Sequence, residues 1–135
     1  MTSQLSCTDR VQSHLTSRLD DLTQLWAAYC EGNEDSVPDL GTFNEYGLSF
    51  DYVEPGTFTD QPEGYHRYQL SWGGPSDEFR FFTNHDLSLY RIEYWFVDWF
   101  DGAPADVTNN PLMSELWDFF VEIGSAEHAI QEAAA

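Results

Sequence analysis

Residues 65–100 read YHRYQLSWGGPSDEFRFFTNHDLSLYRIEYWFVDWF, and three runs within this stretch are rich in β-branched and aromatic residues. Two turn-forming segments, WGGPSDE and NHDLS, separate the three runs. This pattern predicts three antiparallel strands joined as a meander, at about 65–72, 78–83 and 89–100. Asp77 and Glu78 close the first turn, at the boundary where the second strand begins, so we expect both carboxylates to lie at the surface.

A fourth strand precedes the meander, because residues 48–53 alternate between apolar and polar side chains. The sequence therefore predicts a four-stranded antiparallel sheet over residues 48–100. Asp101 and Gly102 form a turn-forming pair that should end the last strand.

Helices are predicted on both sides of the sheet segment. Apolar side chains recur every three or four positions in residues 8–31, which indicates one long amphipathic helix. Asn110 and Pro111 are residue types that begin helices, and residues 111–123 carry a second apolar stripe. Residues 125–135 are predicted to be a short, frayed tail. The expected architecture is a single α+β domain over residues 1–135, with a long N-terminal helix and a C-terminal helix flanking the sheet.

The composition is strongly acidic. The 135 residues include five arginines, no lysine and 24 Asp plus Glu, so the formal net charge is −19. Self-repulsion of this size opposes compaction unless a salty cytosol, bound cations or a basic partner compensates for it. A nucleic-acid ligand would add further negative charge, so direct nucleic-acid binding is disfavoured. No apolar run approaches the length of a membrane span, and we expect a cytoplasmic protein.

Patterns typical of catalysis are weak. The four histidines are scattered without metal-binding spacing, and the aspartates around Gly102 lack the alternate ligands of a calcium loop. Ser76 stands in GGPS, which is not the strand–turn–helix context of a serine nucleophile. We therefore expect no enzyme activity, no cofactor and no metal. A small hydrolase that uses a carboxylate pair is an alternative.

The carboxylates have a spacing similar to that of DNA phosphates. Residues three or four apart on a helix have Cβ atoms about 5–6 Å apart, and alternate residues on a strand lie about 6.6 Å apart. Glu115, Asp118 and Glu122 have the helical spacing. From Asp20 to His66, and again after Arg91, the chain carries acids and no Lys or Arg.

The run YHRYQLSWGGPSDEFRFF, followed by RIEYWFVDWFDGA, resembles small acidic proteins encoded by phages, plasmids and integrative elements. The resemblance covers about residues 46–103. Proteins of that setting include DNA-mimicking antirestriction and anti-CRISPR proteins. The resemblance implies an inhibitor that engages the DNA-binding surface of a host defence complex, and it carries over no catalytic residue.

We predict that the acids dock onto Lys and Arg side chains of a basic DNA-binding protein or ribonucleoprotein complex of the host, with the chain acting as a monomer or a homodimer. An acidic domain adapted to a salty cytosol, without mimicry, is the main alternative. The predicted partner-binding residues are Glu115, Asp118, Glu122, Asp20, Glu31, Glu34, Asp35, Asp51, Glu54, Asp60, Glu63, Asp77, Glu78, Asp101 and Asp106.

Overall fold

The computed structural model of the chain describes residues 6–32, 37–98 and 101–135. Within these residues the chain forms four helices and a five-stranded antiparallel sheet, which confirms the α+β class. The elements in chain order are α1 (Cys7–Cys30), α2 (Phe43–Tyr46), β1 (Ser49–Val53), β2 (Tyr65–Ser71), β3 (Ser76–Thr83), β4 (Leu89–Asp98), β5 (Asp101–Asp106), α3 (Pro111–Glu122) and α4 (Ser125–Ala134).

The sheet is a meander in the order β1-β2-β3-β4-β5, and each strand pairs antiparallel with the next one in sequence. The prediction of four strands was wrong, because residues 101–106 continue the sheet as an edge strand. Gly102 and Pro104 are poor strand formers, which hid β5 from the sequence pattern. An edge strand tolerates proline because one side of its backbone needs no ladder partner.

Strand β3 also begins earlier than predicted, at Ser76. Asp77 and Glu78 are therefore strand residues paired with β4, opposite Phe96 and Trp95, and not turn residues. The predicted end of β4 at residues 99–100 lies outside the described residues.

One face of the sheet packs against the helices and forms the main core. Phe79, Phe81 and Tyr94 are fully buried on this face. The Phe81 ring stacks on Trp117 of α3 at a centroid distance of 5.2 Å. Leu22 of α1 is fully buried in the same cluster. Burial of aromatic surface on this scale is the main source of stability in a chain of this size.

The ends of α1 and α3 follow their capping residues. The Ser6 side chain accepts a hydrogen bond from the backbone N–H of Asp9, and the Asp9 carboxylate accepts one from the backbone N–H of Ser6, at 3.3 and 3.2 Å. After α1, Gly32 adopts φ of 73°, a left-handed conformation that glycine reaches without strain. The Asn110 side chain accepts from Met113 N–H at 3.1 Å and starts α3, as predicted.

The predicted frayed tail is a helix. Gly124 has φ of 87° and turns the chain from α3 into α4. Ala126 and Ala129 of α4 are buried, and the Ala126 carbonyl lies 2.9 Å from Nε2 of the buried His66 in β2. The short side chains gave no apolar stripe strong enough to predict this packing, because alanine buries little area per residue.

Candidate acidic interaction surface

All five arginines form ion pairs with carboxylates of the chain itself. The sequence contains no lysine, so arginine and protonated histidine are the only side chains that can carry a positive charge. Every arginine is held in one of these pairs. The other acids therefore determine the sign of the exposed surface. The pairs, with N–O distances from 2.6 to 3.3 Å, are Arg10–Asp98, Arg18–Asp77, Arg67–Asp51, Arg80–Glu78, Arg91–Glu63 and Arg91–Glu93.

Asp77 is not part of the exposed surface, contrary to the sequence prediction. Its residue is 3% exposed between β3 and α1. Arg18 donates two hydrogen bonds to its carboxylate, at 2.6 and 2.9 Å, and the Tyr94 hydroxyl donates a third at 2.6 Å. The Ser71 hydroxyl also donates to it. Asp77 therefore anchors α1 to the sheet and is not accessible to a partner.

Burial and hydrogen bonding have opposite effects on the pKa of Asp77. Burial alone raises it, but the hydrogen bonds from Arg18, Ser71 and Tyr94 outweigh burial and hold the pKa below its ordinary value. The network extends to Tyr46, whose hydroxyl accepts from Arg18 at 2.8 Å and donates to Asp21 at 2.6 Å. Burial, together with the bond to Asp21, raises the pKa of Tyr46 to about 12.

Glu78, Asp51 and Glu63 are engaged with arginines on the sheet face opposite the main core. Glu78 is 6% exposed and accepts from Arg80 at 2.7 Å, so its predicted surface position is wrong as well. Asp51 accepts two hydrogen bonds from Arg67, at 3.0 and 2.7 Å. Hydrogen bonds from Tyr90 and Arg91 lower the pKa of Glu63.

Aromatic rings hold these sheet arginines in place. The guanidinium of Arg80 contacts the rings of both Tyr65 and Trp95, at 4.7 and 4.3 Å from their centroids. Arg91 lies 3.9 Å from the centroid of Phe82. Cation–π contact and ion pairing together fix both arginines as part of the fold.

The remaining predicted acids are mostly exposed. Glu34 and Asp35 lie outside the described residues. Asp101 accepts from the backbone N–H of Cys7 at 2.7 Å, and Asp106 accepts from the Thr108 hydroxyl and, at 2.9 Å, from the Thr108 backbone N–H. These hydrogen bonds lower the pKa of each carboxyl, which stays ionised and at the surface. The other exposed acids of the prediction are Asp20, which accepts from Gln24 Nε2 at 3.2 Å, and Glu31, Glu54, Asp60, Glu115, Asp118 and Glu122.

The clearest group of exposed acids lies on α3. Glu115, Asp118 and Glu122 are all exposed, whereas Leu116 and Trp117 of the same helix are buried. Separations of three and four residues place the three carboxylates along one side of the helix, with Cβ atoms about 5–6 Å apart. The sequences of α3 and α4 contain no Lys or Arg. We call Glu115, Asp118 and Glu122 the α3 acidic row.

A groove of about 580 Å³ borders the α3 acidic row. Its lining includes Asp118 and Glu122 from the row and Asp86 from the connection between β3 and β4. Trp117 Nε1 donates to the Leu87 carbonyl at 3.0 Å and holds this connection against α3. Sequence reasoning recognised NHDLS only as a turn, and nothing in that pattern placed Asp86 beside a helix that follows about thirty residues later.

Three helices carry an acid at the end where a negative charge is unfavourable. Glu31 is the C-cap of α1, Glu122 is the last residue of α3, and Glu132 lies in the last turn of α4. The helix macrodipole disfavours a carboxylate at this end by about 0.3–1 kcal/mol. The charge of these acids therefore does not help to stabilise the helix ends that carry them.

Within residues 6–32, 37–98 and 101–135, no group of three or more His, Cys, Asp or Glu side chains is arranged to hold a metal ion. Over the same residues, the helices are too short or too polar to cross a bilayer.

The predicted helical spacing and exposure of Glu115, Asp118 and Glu122 agree with α3, whereas the pairing of the arginines was missed. One pair follows from the strand register, because Asp51 of β1 lies directly opposite Arg67 of β2. Once the register is known, this ion pair can be predicted. The Arg18–Asp77 pair joins residues that are 59 positions apart on different elements, and no local pattern points to it.

Comparison of the chain with protein-family models, curated proteins and solved structures finds no match.

Proposed function

We propose that this chain is a DNA-mimicking inhibitor that occupies the DNA-binding surface of a host defence complex, either a CRISPR effector or a restriction enzyme. The observation that carries the proposal is the combination of paired arginines with an exposed acidic row. Cations that would interrupt a negative surface are held in ion pairs, some of them stacked on aromatic rings.

The α3 acidic row supports the phosphate-like part of the proposal. Its carboxylates are fixed on a helix of twelve residues, so their spacing is set by backbone geometry. A rigid row of negative charges can contact Lys and Arg that normally hold DNA phosphates. Long-range attraction between such surfaces speeds association and is weakened by salt.

The choice of a defence complex as target rests only on the sequence resemblance of residues 46–103 and is part of the proposal. Most of that segment is β1 to β5, which forms the scaffold beneath the helices. The scaffold presents the acids and takes no part in chemistry in this proposal.

The test is inhibition of target-DNA binding by purified CRISPR effector complexes and restriction enzymes. Each complex is mixed with a fluorescent target duplex and increasing amounts of the chain, at several salt concentrations. The triple variant Glu115→Lys, Asp118→Lys, Glu122→Lys should lose inhibition by at least about tenfold, because each reversal replaces an attraction with a repulsion. Its unfolding midpoint should not fall, since all three positions are exposed.

A matched pair of double variants separates position from net charge. Asp118→Lys with Glu122→Lys alters the α3 acidic row, and Glu127→Lys with Glu132→Lys makes the same change in net charge on α4. The first pair should weaken inhibition and the second should leave most of it. Equal effects from both pairs would mean that only total charge matters, and unchanged inhibition by the triple variant would show that the electrostatic mechanism is wrong.

A further inference from the structure

Two large apolar side chains are exposed at one end of the sheet. Trp72 is 77% exposed in the hairpin between β2 and β3, and Leu48 is 60% exposed just before β1. The backbone N–H of Leu48 donates to the Gln69 carbonyl at 2.8 Å, which places the start of β1 beside the end of β2. Both side chains therefore lie at the same end of the sheet, where water contacts an apolar surface that binding could bury.

The base of the Trp72 hairpin is held by buried polar contacts. The Gln69 side-chain amide donates to the Ser71 carbonyl at 2.6 Å and to the Asp77 carbonyl at 3.1 Å. The Ser71 hydroxyl donates to the Asp77 carboxylate, which is also bound to Arg18 of α1. These contacts fix the strand ends on both sides of residues 72–75. Fixed strand ends reduce the backbone freedom that the hairpin loses when its tryptophan is bound.

Carboxylates lie on the neighbouring elements. Glu45 of α2 is exposed and precedes Leu48 by three residues. Asp21 of α1 accepts from Tyr46 at 2.6 Å, and the exposed Asp20 precedes it in the same helix. Leu48 therefore follows shortly after an exposed acid of α2, and the hydrogen bond from Tyr46 joins α2 to a second pair of acids on α1.

The net charge of the chain indicates which kind of partner can bind this surface. A second copy would bring another net charge of −19 against the first, and long-range repulsion opposes that contact. A protein surface rich in Lys and Arg is attracted by the same charge. Interfaces commonly combine a buried tryptophan at the centre with polar and charged groups around it.

We infer that Trp72 and Leu48 form the apolar centre of the surface through which this chain binds a basic, nucleic-acid-binding protein, with the indole inserted between the partner's Lys and Arg side chains. The inference rests on the proposed function and adds to it a second contact that DNA itself does not offer. It explains how an inhibitor can discriminate one basic protein from others, because charge alone attracts them all.

The experiment uses the inhibition assay with purified defence complexes and adds poly-L-lysine as a probe of charge alone. Trp72→Ala should weaken inhibition of the susceptible complex by about 30-fold, the loss expected for a tryptophan at the centre of an interface. Trp72→Phe should retain an intermediate level. Binding of poly-L-lysine should be unchanged by Trp72→Ala and weakened by the triple reversal of the α3 acidic row.

Phe58→Ala is the matched control, because Phe58 is 51% exposed in the loop between β1 and β2, at the opposite end of the sheet. It should inhibit like the unmodified chain. Circular dichroism and thermal unfolding should show that each of these variants keeps its fold.

Each possible outcome bears on a different claim. Full inhibition by Trp72→Ala would overturn the role of Trp72 and leave the proposed function standing. If the unmodified chain inhibits none of the complexes, the proposed function falls and the inference falls with it. If sedimentation shows a homodimer that Trp72→Ala dissociates, a second copy covers this surface and the inference is wrong.

Discussion

Asp77 shows how a single residue can hold two elements together. Replacing it with alanine leaves the half-buried Arg18 and the buried Tyr94 hydroxyl without their carboxylate partner, and removing one member of a buried ion pair costs about 3–5 kcal/mol. We therefore expect Asp77→Ala to lower the free energy of unfolding by that amount in urea titrations. Asp118→Ala, at an exposed position, is the control and should change it by less than about 0.5 kcal/mol. A loss below about 1 kcal/mol for Asp77→Ala would contradict the anchoring role.

His66 predicts a pH dependence of stability at near-neutral pH. It is fully buried, and burial lowers its pKa below the value of 6.5 expected in the unfolded chain. The unfolded chain therefore takes up a proton that the folded chain resists. Above about pH 6.5 the histidine is neutral in both states and does not affect the free energy of unfolding. Below that pH the unfolded chain binds the proton more tightly, so the free energy of unfolding falls as the pH falls.

The measurement is the urea midpoint of the unmodified chain between pH 5 and pH 7.5, beside two variants. His66→Gln should flatten the pH slope in this window, whatever its effect on stability at pH 7.5. His85→Gln, at an exposed position, should keep the slope. A slope that His66→Gln leaves intact would assign the effect to another group.

At the level of elements, α4 should be sensitive to a charge on its buried face. Ala126 is fully buried in the main core, so Ala126→Glu places a carboxylate among apolar side chains. We expect it to destabilise the fold by about 2–4 kcal/mol, and to speed hydrogen exchange across α4. Ala134→Glu is exposed on the same helix and should have little effect on either measurement. Similar exchange in both variants would mean that α4 contributes little to the fold.

The sequence predicted the elements whose side chains carry a strong periodic signal. The aromatic strands, the long amphipathic α1 and the Asn110–Pro111 start of α3 were placed to within a few residues. Strand β5 was missed because an edge strand is held by its backbone pairing with β4, and α4 was missed because alanines pack through their small size. In the candidate site, the α3 acidic row followed from helical spacing, whereas the burial of Asp77 and Glu78 depends on contacts that only the folded chain brings together.

For the whole molecule, the net charge of −19 predicts that stability depends on salt at low ionic strength. The Debye length falls from about 30 Å at 0.01 M salt to about 8 Å at 0.15 M, so added salt screens most of the repulsion between exposed acids. We expect the melting temperature to rise by several degrees over this range and then to level off. The triple reversal of the α3 acidic row lowers the net negative charge and should melt higher than the unmodified chain at 0.01 M.

Scanning calorimetry at salt concentrations from 0.01 to 3 M is the measurement, with potassium and sodium chloride compared. A melting temperature that keeps rising up to molar salt would support adaptation to a salty cytosol. A plateau near physiological salt would remove the need for that explanation of the acidic composition.

The placement of the arginines also governs how proteases act on this chain. Trypsin cleaves after Lys or Arg, the sequence contains no lysine, and every arginine lies within α1, β2, β3 or β4 in an ion pair. Regular backbone in a helix or sheet does not fit a protease cleft, so digestion must wait for these elements to open. Trypsin therefore cuts this chain after Arg67, Arg80 or Arg91 only when the sheet opens, and the rate of digestion at these sites reports that opening in crude extracts where spectroscopy fails.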